Sequence, residues 1–138
     1  MELKKISKWI VISGALIIWG VKYGIRPSCD CNVALIFFLG IAPNLLGSFL
    51  IPFGACWFFS GKNFFGARIF HINSLVDLRQ VCILGLGLLI INEYLQLIPF
   101  FGRTFDYFDI LASVVGLSAS YFLYSRLFTS MLYRFYPD

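Results

Sequence analysis

Residues 81–101 read VCILGLGLLIINEYLQLIPFF. The first eleven are apolar residues and two glycines, and the only formal charge in the run is Glu93. A helix of this length covers roughly 30 Å, the thickness of bilayer hydrocarbon. Lipid offers no water to an open backbone, so a crossing segment must be a helix or part of a closed barrel. The run lacks the apolar–polar alternation of a barrel strand. It therefore predicts a transmembrane helix.

The rest of the chain agrees. Of its 138 residues, 59% are apolar and 13% are charged, and sixteen are Phe. An ordinary soluble domain carries roughly 25% charged residues. This chain has too few polar side chains to cover a soluble surface. An independent soluble domain, a disordered chain and a nucleic-acid-binding domain are all excluded on that ground. The net charge of +4 is accordingly read through membrane topology and lipid headgroups, with no nucleic acid as partner.

Three more apolar stretches are long enough to cross: 6–24, 33–59 and 107–131. The expected fold is an all-α integral membrane protein, a single domain over 1–138 built from about four transmembrane helices. Residues 33–59 carry Pro43-Asn44 and Pro52-Phe53-Gly54. Two crossings need about 40 residues, so this stretch is one span kinked at Pro43 and Pro52, or a span with an interfacial piece. The lysines before the first span give it the look of a signal peptide. It has no clean small-x-small cleavage site and three spans follow, so it reads as a retained anchor.

Basic residues set the expected orientation. Lys4, Lys5, Lys8, Lys62, Arg68, Arg79, Arg126 and Arg134 fall on the side of the termini, against Lys22, Arg26 and Arg103 on the other. Eight against three predicts cytoplasmic N- and C-termini. Trp9, Trp57 and Tyr133 then lie near the inner boundary, and Trp19, Tyr23 and Tyr107 near the outer one. In loop 60–80, Ile69, Ile72, Leu75 and Val76 recur at roughly helical spacing, so part of it is expected on the membrane surface.

Polar residues at membrane depth are the informative ones. They gather in 92–116, which reads NEYLQLIPFFGRTFDYFDILASVVG. Glu93 is the thirteenth residue of the 81–101 stretch, and a charged acid near mid-bilayer costs roughly 2.5–3.5 kcal/mol to insert. Gln96 follows at i+3 on the same face. Pro99 and Gly102 end the helix, and Arg103, Asp106 and Asp109 follow at the outer boundary. Asp109 also sits where the backbone N–H groups of the fourth helix favour an anion. Ser113 and Gly116 continue its face, and Gly116 with Ser120 makes a small-xxx-small pair suited to close helix approach. The expected site is a polar cluster between the third and fourth helices. Arg103 would neutralise Glu93, Asp109 or both, and Asn44 would add a hydrogen bond. Burial would equally favour a protonated Glu93. The competing reading is that these residues only clamp helices together.

This stretch resembles the VanZ-like family, named for a protein linked to teicoplanin resistance. That family carries a Glu-x-x-Gln pair, a downstream Arg, and an Asp-x-x-x-Asn followed by Gly. Here Glu93-Tyr94-Leu95-Gln96 matches the first element, Arg103 the second, and Asp109 with Gly116 the third. Ser113 stands at the family's Asn position. Asn44 and Ile51-Pro52-Phe53-Gly54 look like its Asn-then-Phe-x-Pro-x-Gly signature. The resemblance covers about 40–116. It implies a small multi-helix protein of the bacterial inner membrane, supplies no reaction, and does not imply antibiotic resistance for this chain.

Other signals carry less. Cys29 and Cys31 form Cys-Asp-Cys in the short outer loop, where a bridge would close a strained ring. Cys56 and Cys82 lie near the opposite boundary, and the single His71 is on that side too. No metal site and no cofactor are expected. Gly85-Leu86-Gly87 lacks the third glycine of a phosphate loop and suits helix packing instead. A Ser-His-Asp set at the outer face is ruled out by the position of His71.

Three functional classes remain. The favoured one is a non-enzymatic module that binds a lipid, an amphiphile or a membrane-protein partner near the outer leaflet. The second is an enzyme acting on an envelope lipid or lipid-linked precursor, with Glu93 or Asp109 as base and Arg103 on an anionic group. The third is a subunit of a transporter or larger membrane complex.

Overall fold

A computed structural model describes residues 2–28, 32–62, 65–96 and 106–135, the last four of these and residues 65–66 as backbone only. Every described element is helical. In chain order they are α1 (Glu2–Trp19), a π-helical turn (Gly20–Ile25), α2 (Arg26–Ser28), α3 (Val33–Phe49), α4 (Ile51–Phe59), α5 (Phe65–Ile69), α6 (Leu75–Leu95) and α7 (Tyr107–Phe135).

Three helices are long and apolar enough to cross a membrane: Glu2–Ser28, Leu75–Leu95 and Tyr107–Met131. A fourth candidate is the pair α3 and α4, which meet at 40°. Their outward faces are what a bilayer requires. Trp9 is 62% exposed, Tyr107 74% and Val33 80%, and Leu16, Ile83 and Phe122 are also more than half exposed. Apolar surface on this scale marks contact with lipid or protein.

The break between α3 and α4 falls at Leu50, whose N–H still reaches the carbonyls of Leu46 and Gly47. Pro52, buried in the first turn of α4, has no N–H to give to Ser48 four residues back. A proline ring also crowds that carbonyl, so the helix must turn. Pro43 lies inside α3.

The chain winds up and down. The end of the bundle holding Glu2, Ser60 and Leu75 is called basal here, and the end holding Ser28, Val33 and Tyr107 apical. Lys4 Nζ donates to the Ser60 carbonyl at 2.8 Å, tying α1 to the end of α4 across 56 residues. Lys5, Lys8, Lys62, Arg68 and Arg79 belong to the same basal end by their places on these elements.

Helices α3 and α7 run in the same direction and pack most extensively. Phe37 meets Phe108 edge to face at 5.0 Å, and Phe53 lies 5.5 Å from Tyr124. Between these pairs Gly116 presses against the Leu45 carbonyl and the Ser48 hydroxyl, and a Cβ there would collide with both. The α7 face turned inward is Ala112, Ser113, Gly116, Leu117, Ser120 and Tyr124. The small-xxx-small spacing of Gly116 and Ser120 therefore lies in the contact. Without water to expel, helices in lipid associate through such packing. A basal core of Phe53, Cys56, Leu78 and Tyr124 closes the bundle, with Leu3, Ile10 and Val11 of α1 against it.

Helix α6 begins at Leu75, six residues before the apolar run at 81–101. Its start is set by a capping box: Ser74 Oγ accepts from Asp77 N at 3.2 Å, and Asp77 Oδ2 accepts from Ser74 N at 2.9 Å. This Ser-x-x-Asp signal satisfies N–H groups that the helix leaves open. It also splits the apolar periodicity of loop 60–80. Ile69 ends α5, whereas Leu75 and Val76 open α6. Glu93 accordingly lies two residues before the last residue of α6, closer to its end than the hydropathy run indicates.

Two stability predictions follow from these contacts. Gly116→Ala must part α3 from α7 and should cost about 1–3 kcal/mol. Gly47→Ala, with open space around it, should be neutral or slightly stabilising. Reversible unfolding in detergent micelles measures both, and equal effects would refute the close approach. Ser74→Ala should cost about 1 kcal/mol by the same measurement, and Asp77→Ala in the Ser74→Ala background should add less than it does alone.

Candidate binding site

The apical polar residues are built on two helix ends. Leu95 is the last residue of α6, and Gln96 caps it with its N–H on the Glu93 carbonyl at 3.1 Å. The Gln96 side chain follows the same path, Nε2 donating to Glu93 Oε1 at 2.9 Å. Glu93 is 5% exposed. Its i+3 spacing to Gln96 thus produces a buried carboxyl held by an amide within one helical turn.

The start of α7 supplies the second group. Asp106 precedes the helix and its Oδ1 accepts from Phe108 N at 2.9 Å, while its carbonyl accepts from Asp109 N at 3.2 Å. Asp106 is therefore a cap for an open helix end, a role that its place just before Tyr107 could have signalled. Asp109 lies in the first turn, where the helix dipole favours negative charge. Ser113 is buried, and its hydroxyl donates to the Asp109 carbonyl at 2.8 Å. That bond uses the only hydroxyl proton and leaves the oxygen as an acceptor. Ser113 is thus less able to donate to a ligand than an amide at the same position.

Helix register relates the two groups. Helices α6 and α7 are antiparallel, and Leu86 faces the same groove as Leu117. Seven residues on from Leu86 is Glu93, and seven back from Leu117 is Ile110, about 10 Å along each axis. Glu93 thus lies level with Asp109 and Ile110, at the apical end. Asn44 is half-buried on α3, next to Leu45 and so level with Gly116. Its side chain has no hydrogen-bond partner among the described residues. The structure therefore joins Glu93 to Gln96 and Asp109 to Ser113, and sets Asn44 nearly two turns further into the bundle.

Arg103, Pro99, Gly102, Cys29 and Cys31 lie outside the described residues. Among the described residues no group of three or more His, Cys, Asp or Glu side chains is arranged to hold a metal. Cys56 is buried in the basal core and Cys82 is half-buried, both as free thiols.

Chemically, the apical end offers a buried carboxyl presented by an amide, two more carboxylates on a helix start, and exposed aromatic surface at Tyr107 and Phe108. Such a set suits a cationic or hydrogen-bonding headgroup above an apolar tail. Comparison of the chain with family models, with curated proteins and with solved structures finds no match.

Proposed function

We propose that this chain is a multi-pass protein of the bacterial inner membrane, similar to the VanZ-like family, and a non-enzymatic module. It binds a lipid, an amphiphile or a membrane-protein partner through its apical polar cluster. The observation that supports this most is Glu93, an acid 5% exposed and held by Gln96, in a helix whose other charges, Asp77 and Arg79, lie at its far end. A buried ionisable group in a membrane-crossing helix, even near its end, is costly and suggests a function. Glu93, Gln96, Arg103, Asp106, Asp109, Ser113 and Asn44 form the proposed site. Arg103 balances the acids and receives the anionic part of a ligand.

In this reading α3 and α4 are a single span bent near Pro52, and the bundle has four crossings. The basal end faces the cytoplasm, because eight of eleven Lys and Arg residues belong to that side. The apical cluster then opens toward the outer leaflet.

The proposal is tested with the full chain in nanodiscs and an amphiphile carrying a photoreactive group near its headgroup. Labelling should map to the segment containing 93–109. Glu93→Gln preserves size and the contact with Gln96 but removes the charge. It should weaken labelling about tenfold or more, as expected for loss of one charged hydrogen bond. Arg103→Gln should act in the same direction. Undiminished labelling in both variants would leave the cluster as a helix clamp. Orientation is checked by single-cysteine variants: a membrane-impermeant maleimide added to intact cells should label position 107 and spare position 5.

A further inference from the structure

A second candidate site lies at the other end of the molecule, between the same two helices. A groove of about 380 Å³ runs along the outside of the α6–α7 contact, lined by Arg79, Cys82, Ile83 and Leu86 on one side and by Val114, Leu117, Ser118, Tyr121 and Phe122 on the other. The α6 residues follow the i, i+3, i+4, i+7 pattern of one face. From Arg79 to Leu86 the groove extends about 10 Å along α6. It therefore covers much of one leaflet's depth, since a leaflet contributes about 15 Å of hydrocarbon.

The groove has one polar end. Arg79, an exposed residue, is its only charged lining side chain and sits in the basal part of α6. Among the described residues Arg79 has no ion-pair partner. The acid two positions before it, Asp77, is engaged by the backbone N–H groups of Asn73 at 3.0 Å and Ser74 at 2.9 Å. Arg126 follows Phe122 by four residues, so a second exposed cation continues the α7 face at the same end. The form is that of an acyl-chain slot headed by guanidinium. Basic pockets between transmembrane helices at a membrane face suit anionic headgroups, and guanidinium matches phosphate geometry.

We propose that this groove is a binding site for one anionic phospholipid of the basal leaflet. One acyl chain lies between α6 and α7, and the phosphate is held by Arg79 with Arg126 beside it. The occupant is distinct from the ligand of the apical cluster, and the site does not depend on which face of the membrane the basal end occupies. It requires only that α6 and α7 cross the bilayer. The groove is too apolar to hold a free phosphate, and an uncharged lipid would leave Arg79 unmatched.

Native mass spectrometry of the full chain in a mild detergent tests this, with phosphatidylglycerol or phosphatidylcholine added at equal concentration. One phosphatidylglycerol per chain should be retained several-fold more than phosphatidylcholine. Arg79→Gln should weaken its retention about fivefold, and Arg79→Lys should restore most of it. Ser118→Trp fills the slot from an exposed position and should remove the bound lipid in either background. Equal retention of the two lipids by the unaltered chain, or unchanged retention in both Arg79→Gln and Ser118→Trp, would overturn the proposal.

Discussion

The contact of Gly116 with Leu45 and Ser48 is the constraint around which the bundle is arranged. A hydrogen in place of a side chain lets α7 come against the backbone of α3. In lipid that intimacy is a main source of helix association, because apolar side chains gain nothing by leaving hydrocarbon. The aromatic pairs on either side, Phe37–Phe108 and Phe53–Tyr124, take the separation that Gly116 sets. Helices α1 and α6 then pack onto the assembled pair. Gly14 meets Leu50, and Gly85 meets Ile51, both on flexible side chains that can yield. Of these three, only the Gly116 contact is made against backbone, which cannot.

This arrangement gives helices α6 and α7 two different ends. At the apical end α6 finishes and α7 begins, so an amide-held acid is brought level with an acid favoured by a helix start. At the basal end the helices present cations, an apolar slot and a capping box. The molecule is thus polarised along its axis by the direction of its helices as much as by its composition. The two ends thus differ in the sign of the charge they present beside apolar surface.

Much of this was legible in the residues. The helical class follows from apolar runs such as 81–91, because no other open structure satisfies a backbone in lipid. The pairing of Glu93 with Gln96 follows from i+3 spacing, and the close approach at Gly116 from its spacing to Ser120. What hydropathy misplaced was the start of α6. A window of apolar residues cannot see that Ser74 and Asp77 close a helix start among polar neighbours, although the Ser-x-x-Asp spacing marks it. The role of Asp106 as a cap, rather than a free acid at the boundary, was hidden in the same way. The α6–α7 groove was not legible at all. It depends on which faces two helices turn to each other, and neither helix's own periodicity states that.

Two irregularities act on the helices in opposite ways. The break at Leu50 changes the direction of the chain by 40°. Yet partners across α3–α4 and α7 keep one spacing in sequence: Phe37 with Phe108, Leu45 with Gly116, and Phe53 with Tyr124 all differ by 71 positions. The break turns the chain without slipping its phase. The π turn at Gly20–Ile25 does the reverse. Its closing bond, from Arg26 N–H to the Val21 carbonyl, takes in one residue more than an α turn, while Glu2–Ser28 remains a single rod. Beyond the turn, Arg26 to Ser28 resume the α-helix one residue out of step with the buried face marked by Ser7 and Gly14. The extra residue is taken up where no side chain of the turn is buried, so the change of register leaves the packed half of α1 undisturbed.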